Sequence, residues 1–155
     1  MKAISVRGGW AWAIARAGKR VENRTWATKL RGWVAIHASA SKGGDSGLRA
    51  ILDQLGIEPP DEYPRGAIVA VAWLADCLDV DDPALGVDPW AEGPVCWVLR
   101  EVRPLATPVA CKGRLGLWDV PPDVAREVNA QAAAGEAERA AYNGTVTMGG
   151  QGRLW

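Results

Sequence analysis

The sequence predicts an α+β fold, built around a small, mostly antiparallel β-barrel with inserted helices and a C-terminal helix. Five or six short β-prone segments are spread along 155 residues. Segments with helical spacing lie between them, and the connections are too short for repeated βαβ crossovers. Because the hydrophobic content is 48% and nine tryptophans supply aromatic bulk, one globular domain with a proper core is expected.

The N-terminal elements follow from spacing and turn residues. A short strand is predicted at 2–6, and apolar residues at helical spacing predict a helix over 10–17 that a glycine ends. Strands are predicted at 21–26 and 33–39. The spacing of leucine and isoleucine over 48–55 indicates an amphipathic helix, which Gly and Pro-Pro terminate.

The second half begins with a nearly continuous apolar run at 65–77, typical of a strand buried on both faces. Residues 79–93 are acidic and rich in Pro and Gly, so they are predicted to form a loop. Two further strands are expected, one at 93–105 and one within 107–120 that enters a glycine-punctuated loop.

The C-terminal region is predicted to form an alanine-rich helix that starts at Pro121-Pro122, with Gly135 as a candidate break. The last residues, 143–155, carry little core signal. We therefore expect a domain over 1–121 and, over 122–155, a helical extension and tail packed on it.

Composition excludes several classes of protein. No apolar run approaches the ~20 residues that cross a membrane, and the N-terminus lacks the apolar block of a signal peptide. The three cysteines lack a CxxC spacing and fit buried thiols in a reducing compartment. A cytoplasmic protein without a membrane partner is expected.

Charge is distributed unevenly along the chain. Residues 1–42 hold nine Lys and Arg against one acid, Glu22, although the whole chain is neutral. This segregation favours an anionic partner for the first third. Alternatively, folding interleaves the two parts and cancels the field.

The stretch "GKRVENRTW" is unusual for a strand. With a period of two, one face would carry Val21, Asn23 and Thr25. The other face would carry Arg20, Glu22, Arg24 and Trp26, with Lys19 at its entrance. A carboxylate, two guanidiniums and an indole in a row indicate a ligand site, although a surface ion pair is the simpler reading.

These motifs resemble a known family. "ISVRGGWAWAIARAGKRVENRTWATKLRGWVAIHAS" resembles the opening of the ASCH domain (activating signal cointegrator homology), and "YPRGAIVAVAWLADC", "GPVCWVL" and "KGRLGLWDVP" follow in the family's order. The match covers roughly residues 2–121 and looks most like the subgroup of the coactivator's own C-terminal domain. The resemblance implies a PUA-like barrel with a cleft and a link to RNA or DNA binding. It also implies that some small relatives hydrolyse acylated cytidine and that others act as nucleases.

The sequence departs from the family pattern at two places near the site. The family's Gln-Pro before Trp10 is Gly8-Gly9, and the glycine two places before Lys19 is Ala17, with Gly18 between them. The first change removes a rigid proline from the helix start and an amide that could touch a base.

The leading hypothesis is a domain that binds nucleic acid or a nucleotide in a basic, Trp-lined cleft. An indole stacks on a base, a guanidinium pairs with phosphate or a base edge, and a carboxylate accepts from an exocyclic amine. Single-stranded or modified-base RNA or DNA is the expected partner, without a cofactor or metal. The predicted contacts are Trp10, Lys19, Glu22, Arg24, Trp26, Lys29, Arg31, Lys112, Arg114 and Trp118.

An enzyme is the main alternative. A lysine desolvated beside other cations can act as a base or nucleophile, so Lys19, with Glu22, would be catalytic in an acylcytidine amidohydrolase-like enzyme or a ribonuclease. In the amidohydrolase-like members, however, the residue three after the lysine is threonine, and here it is Glu22. A protein-interaction module without its own ligand is a third possibility.

Two further motifs contain candidate residues. In "CKGRLGLW", Lys112 and Arg114 flank a glycine whose amide can approach an anion, and Trp118 follows, either beside them or in the core. His37, the only histidine, is expected to be a hydrogen-bonded structural residue. It and the three cysteines lack the paired spacing of a zinc site.

Overall fold

The computed structural model describes residues 1–149, with side chains described to residue 141. This part of the chain forms six strands and three α-helices. The elements are β1 (Lys2–Val6), α1 (Gly8–Arg16), β2 (Val21–Arg24), β3 (Gly32–Ala38), α2 (Leu48–Leu55), β4 (Ala67–Asp79), β5 (Val95–Ala110), β6 (Leu117–Asp119) and α3 (Pro122–Gly149), with a short 3-10 turn at Pro83–Leu85.

The strands form one mixed sheet in the order β2-β5-β4-β3-β1-β6. Only β1 and β3 pair in parallel, and the other neighbours are antiparallel. The predicted α+β fold around a mostly antiparallel barrel is confirmed, in the form of a curled half-barrel with three helices, one of them C-terminal.

The curl of the sheet comes from irregular pairing of its two longest strands. The register between β4 and β5 shifts at three places, between Ile68 and Ala70, Val71 and Trp73, and Leu74 and Asp76. Such bulges bend a sheet and increase its local twist. The bend brings β2, at one edge, towards β1 near the other.

Apolar residues cover both faces of the sheet. The concave face carries Ile4, Ile36, Leu74 and Trp97, and α1 closes it with Ile14. On the convex face, Ala3, Ala35 and Val71 pack against Trp118 and against Val128 and Ala132 of α3. A third cluster joins α1 and α2 to Trp90 in the loop before β5.

The structure differs from the prediction mainly in three places. β2 ends at Arg24 rather than at residue 26. The strands expected at 93–105 and within 107–120 are largely one strand, β5, because the chain bulges between Pro104 and Val109 and so accommodates its prolines without breaking the pairing. α3 runs through Gly135, since one glycine weakens a helix by about 1 kcal/mol and does not end it.

The C-terminal helix expected from the sequence is present as α3. The first half of α3 packs on the sheet through Val128 and Ala132. The boundary at residue 121 stays a prediction, and residues 150–155 of the expected tail lie outside the described residues. Within the described part of the chain, no helix has the length and apolar character needed to cross a membrane.

Candidate functional site

A cleft opens between β1 and β2, where the half-barrel is not closed. It has a volume of about 410 Å³. β6 pairs with β1 only from Lys2 to Ile4, so the outer backbone edge of Ser5 is left without a strand neighbour. The cleft is lined by Ser5, Val6, Arg7, Trp10, Lys19, Glu22, Asn23, Arg24, Gly44, Ser46 and Glu92, and is called the β1–β2 cleft below.

Arg24 bridges this gap in the barrel. Its Nη2 donates a hydrogen bond to the carbonyl oxygen of Ser5 at 2.8 Å. Its Nε lies 3.5 Å from Glu22 Oε1 but has no hydrogen-bond partner within the described residues. Arg24 therefore takes the place of a strand contact and still has donor capacity beside the cleft.

Lys19 and Glu22 form a buried ion pair next to Arg24. The Lys19 side chain is only 1% exposed, and its Nζ lies 3.0 Å from Glu22 Oε2. The same ammonium also donates to the backbone carbonyl of Val21. Because buried charges are stabilised only by close partners, the charges of Lys19, Glu22 and Arg24 depend on one another.

Trp10 forms the wall opposite this ion pair. Its Nε1 donates to the Gly44 carbonyl at 3.1 Å, and the Lys19 Nζ lies 5.9 Å from the centre of its ring. The ring is half-buried, so the hydrogen bond fixes its orientation while part of its surface faces the cleft.

The departure from the family pattern at Gly8-Gly9 has a structural reason. The Gly9 amide donates to Asp45 Oδ1 at 3.0 Å, a hydrogen bond that a proline cannot make. A Cβ at Gly9 would lie 2.7 Å from both that oxygen and a methyl of Leu48. The glycines thus allow the loop before α2 to pack directly on the start of α1, which places Gly44 beside Trp10.

Several cleft residues were not predicted as contacts. The Arg7 side chain is exposed at the cleft and makes no hydrogen bond or ion pair within the described residues. Its signal was available, because it stands three residues before Trp10 in the family motif. Asn23 was assigned to the opposite strand face, yet it lines the cleft and its Oδ1 accepts from the amides of Glu92 and Gly93. Nothing in the sequence pairs Asn23 with that distant loop.

The structure places Trp26 outside the β1–β2 cleft. Since β2 ends at Arg24, the period-two alternation does not continue to Trp26. Its ring is 37% exposed and meets Trp97 edge-on, with 4.8 Å between ring centres. Of the four side chains in the predicted row, only Glu22 and Arg24 belong to β2 and line the cleft.

Lys29 and Arg31 also lie away from the cleft. Both are exposed, and Arg31 is committed to a salt bridge with Asp76 at 2.9 Å and to the Thr28 carbonyl. Asp76 belongs to the acidic part of the chain, so folding does cancel part of the basic field of residues 1–42. The hypothesis that these two cations share a concave face with Arg24 is not supported.

A second depression adjoins the cleft across Ser5. Its volume is about 570 Å³, and it is called the Gly113 depression below. Lys112 and Arg114 line it, and Ser5 belongs to the lining of both depressions. Ser5 Oγ donates to the Arg114 carbonyl at 2.9 Å, which ties the basic turn to β1.

Trp118 is a core residue rather than a contact surface. It is 5% exposed, and its Nε1 donates to Ser5 Oγ at 3.2 Å. Its ring meets that of His37 edge-on at 5.5 Å between centres. Because a buried ring cannot stack on a base, Trp118 offers no stacking surface to a ligand in this structure.

His37 supports the floor of the Gly113 depression. Its Nε2 lies 2.7 Å from the Cys111 carbonyl and must be the protonated nitrogen, because a carbonyl only accepts. Its buried Nδ1 has no hydrogen-bond partner among the described residues. Burial lowers the pKa of His37, while the hydrogen bond to Cys111 raises it to a smaller extent. This geometry agrees with the structural role expected for the histidine.

Among the residues that the structure describes, no group of three or more His, Cys, Asp and Glu side chains is placed to hold a metal ion. All three cysteines are free thiols, and burial raises the pKa of Cys96 and Cys111.

Comparison with solved structures supports the fold. The chain is similar to the crystal structure of ASCH from Zymomonas mobilis, with a TM-score of 0.54 and 15% identity, over 83% of this chain and 93% of that one. A single-residue variant of that protein gives a TM-score of 0.52 at 14% identity, over 83% of this chain and 96% of that one.

Two curated relatives are larger proteins. Activating signal cointegrator 1 of Homo sapiens is 28% identical over 124 residues, which are 74% of this chain and 21% of the relative. The Mus musculus protein of the same name is 35% identical over 81 residues, 48% of this chain and 14% of the relative. The chain thus corresponds to a small part of each relative.

The family comparison is the most direct. The model of the ASCH domain matches residues 4–108, a segment that contains β2 and all the lining residues of the β1–β2 cleft. This segment is well over half of the sequence. The chain therefore belongs to the ASCH domain family.

Proposed function

We propose that the β1–β2 cleft binds a nucleotide unit of a nucleic acid. The observation that carries this proposal is the uncommitted guanidinium of Arg7 in the same cleft as the half-buried indole of Trp10. A guanidinium pairs with phosphate and an indole stacks on a base, so the two side chains match the two ends of one nucleotide.

The rest of the cleft fits a polar base edge. Glu22 Oε1 is 3.5 Å from Arg24 Nε and keeps lone pairs for a base amine, and Arg24 keeps donors for a base carbonyl or a phosphate. Membership of the ASCH family, whose motifs are linked to RNA and DNA binding, supports the same proposal.

The salt dependence of oligonucleotide affinity tests this proposal most directly. Labelled single-stranded and duplex RNA and DNA are titrated with the protein at two salt concentrations, and affinity should fall as salt rises because phosphate contacts release counterions. Arg7→Ala should reduce the slope of log K against log salt by about 1. Arg126→Ala, which removes an exposed arginine from α3, is the matched control. No binding of any probe at the lower salt concentration would refute the proposal.

A catalytic role for Lys19 is the second candidate, because its ammonium is buried and lines the cleft. Its contacts with Glu22 and the Val21 carbonyl suit an ammonium, and a neutral amine would give up the ion pair. This arrangement favours binding over amide hydrolysis.

The two candidates are separated by Lys19→Arg. Arginine stays protonated in proteins, so the variant should lose any turnover that needs a neutral lysine while keeping a charge for binding. Product release from N4-acylated cytidine and from RNA is measured with both proteins, in chelator and with divalent metal. We expect no turnover of acylcytidine by the wild type. Wild-type hydrolysis that disappears in Lys19→Arg, with oligonucleotide affinity retained, would establish the enzyme instead.

A further inference from the structure

The Gly113 depression differs from the cleft in its charge. Its described lining holds the cations Lys112 and Arg114 and no acidic residue. Both cations are exposed, and neither forms a salt bridge within the described residues. Leu115, the next residue, is 98% exposed and adds an apolar surface at the rim.

The turn that carries these cations is held rigidly from two strands. The Arg114 carbonyl accepts from Ser5 Oγ of β1, and the Cys111 carbonyl accepts from His37 Nε2 of β3. A Cβ at Gly113 would lie 2.7 Å from His37 Nδ1 and 2.8 Å from Ser5 Oγ, so only glycine allows the turn to sit so close. Main-chain atoms make these contacts, which leaves both cationic side chains free for a ligand.

The two depressions share a single residue as their common wall. Arg24 Nη2 contacts the carbonyl oxygen of Ser5 at 2.8 Å on the cleft side. The Arg114 carbonyl contacts Ser5 Oγ at 2.9 Å on the other side. A ligand that leaves the cleft across β1 therefore meets Arg114 and Lys112 next.

We propose that the ligand is a single strand of at least two nucleotides, whose backbone crosses β1 at Ser5 and places its next phosphate on Lys112 and Arg114. This inference rests on the proposed function of the β1–β2 cleft. A single strand fits because its bases can be splayed apart, one entering the cleft while the backbone continues, whereas the bases of a duplex stay stacked and paired.

The test is a length series. Unlabelled nucleoside monophosphates, dinucleotides and tetranucleotides, in RNA and DNA forms, compete with a fluorescein-labelled single-stranded 10-mer. A hairpin duplex is included as a further competitor. In the wild type, affinity should rise from mononucleotide to dinucleotide by more than the twofold that a second binding register alone would give. The hairpin should compete more weakly than the tetranucleotide.

The variant for this test is Lys112→Ala/Arg114→Ala. It should lose the gain between mononucleotide and dinucleotide, and its salt slope for the 10-mer should be shallower by roughly 0.7 for each lost phosphate contact. Arg126→Ala should keep both the gain and the slope. The contacts that hold the turn come from main-chain atoms, so the double variant should fold, and circular dichroism and Tm check this.

The outcomes separate the two proposals. Binding of the 10-mer with no gain from length overturns the extended site and leaves the cleft proposal standing. A gain that survives in the double variant also overturns it, because the added contact then lies elsewhere. No binding of the 10-mer overturns both proposals.

Discussion

The two neighbouring depressions handle charge in opposite ways. In the β1–β2 cleft, Lys19 and Glu22 are buried, 1% and 10% exposed in their side chains, and satisfy each other. In the Gly113 depression, Lys112 and Arg114 are exposed and unpaired within the described residues. The difference teaches that the burial of a cation, rather than its residue type, decides whether it supports the fold or is free for a ligand.

The largest expected effect is on the stability of the cleft. Glu22→Gln leaves the buried Lys19 without its carboxylate and should lower the free energy of unfolding by about 3–5 kcal/mol. Urea denaturation measures it. Lys112→Ala/Arg114→Ala should stay within about 0.5 kcal/mol of the wild type, as exposed substitutions do.

A double substitution refines this prediction. Lys19→Met/Glu22→Gln removes both charges of the pair, so it should be markedly more stable than Glu22→Gln alone. If Glu22→Gln and Lys112→Ala/Arg114→Ala lower the free energy of unfolding equally, the proposed difference between buried and exposed charges is wrong.

A smaller effect is expected at Trp26, which lies on the same chain segment but outside the cleft. Trp26→Ala removes the edge-on contact with Trp97, and such aromatic contacts contribute about 0.5–1.5 kcal/mol beyond the apolar area they bury. Oligonucleotide affinity should change little, because the ring does not line either depression. Thermal unfolding and the same titrations measure the two effects. A loss of affinity without a loss of stability would place Trp26 in the binding surface after all.

The smallest effect concerns His37 under the Gly113 depression. Its pKa is lower in the folded protein, chiefly because burial disfavours the charged ring. The unfolded chain therefore binds more protons below the ordinary pKa of about 6.5, and the free energy of unfolding should fall as pH decreases from there towards the lowered folded pKa.

Substitution of this histidine provides the control. His37→Gln keeps a donor for the Cys111 carbonyl but cannot titrate, so its stability should depend less on pH in this window. Denaturation of both proteins at a series of pH values measures the difference. Equal slopes for the two proteins would show that other groups cause the decrease.

The accuracy of the sequence predictions follows the range of the interactions concerned. β1 and α2 were placed at their observed bounds, because hydrophobic periodicity and terminating glycines act locally. The bulge that joins the two predicted strands into β5 depends on pairing with β4, which no local pattern of β5 reveals. No local pattern reveals the end of β2 either. Because β2 ends at Arg24, Trp26 does not lie in the predicted row.

The site was predicted only in part, for a related reason. Lys19, Glu22 and Arg24 lie within six residues of one another and could be grouped by motif. Arg31 was assigned to the same surface by charge alone, and its partner Asp76 could not be foreseen because it is far away in the chain. Charge along the sequence thus indicated an anionic ligand without showing which cations are already neutralised.

By itself, the sequence determined the element types, the mixed α+β class and the family motif, because these depend on side-chain periodicity and residue order within short segments. Only the tertiary structure decided where the cleft opens. β6 stops pairing with β1 at Ile4, and the curl of the sheet brings Arg24 to the free carbonyl of Ser5. Both facts depend on strands far apart in the chain, and they make Ser5 the common wall of the two depressions.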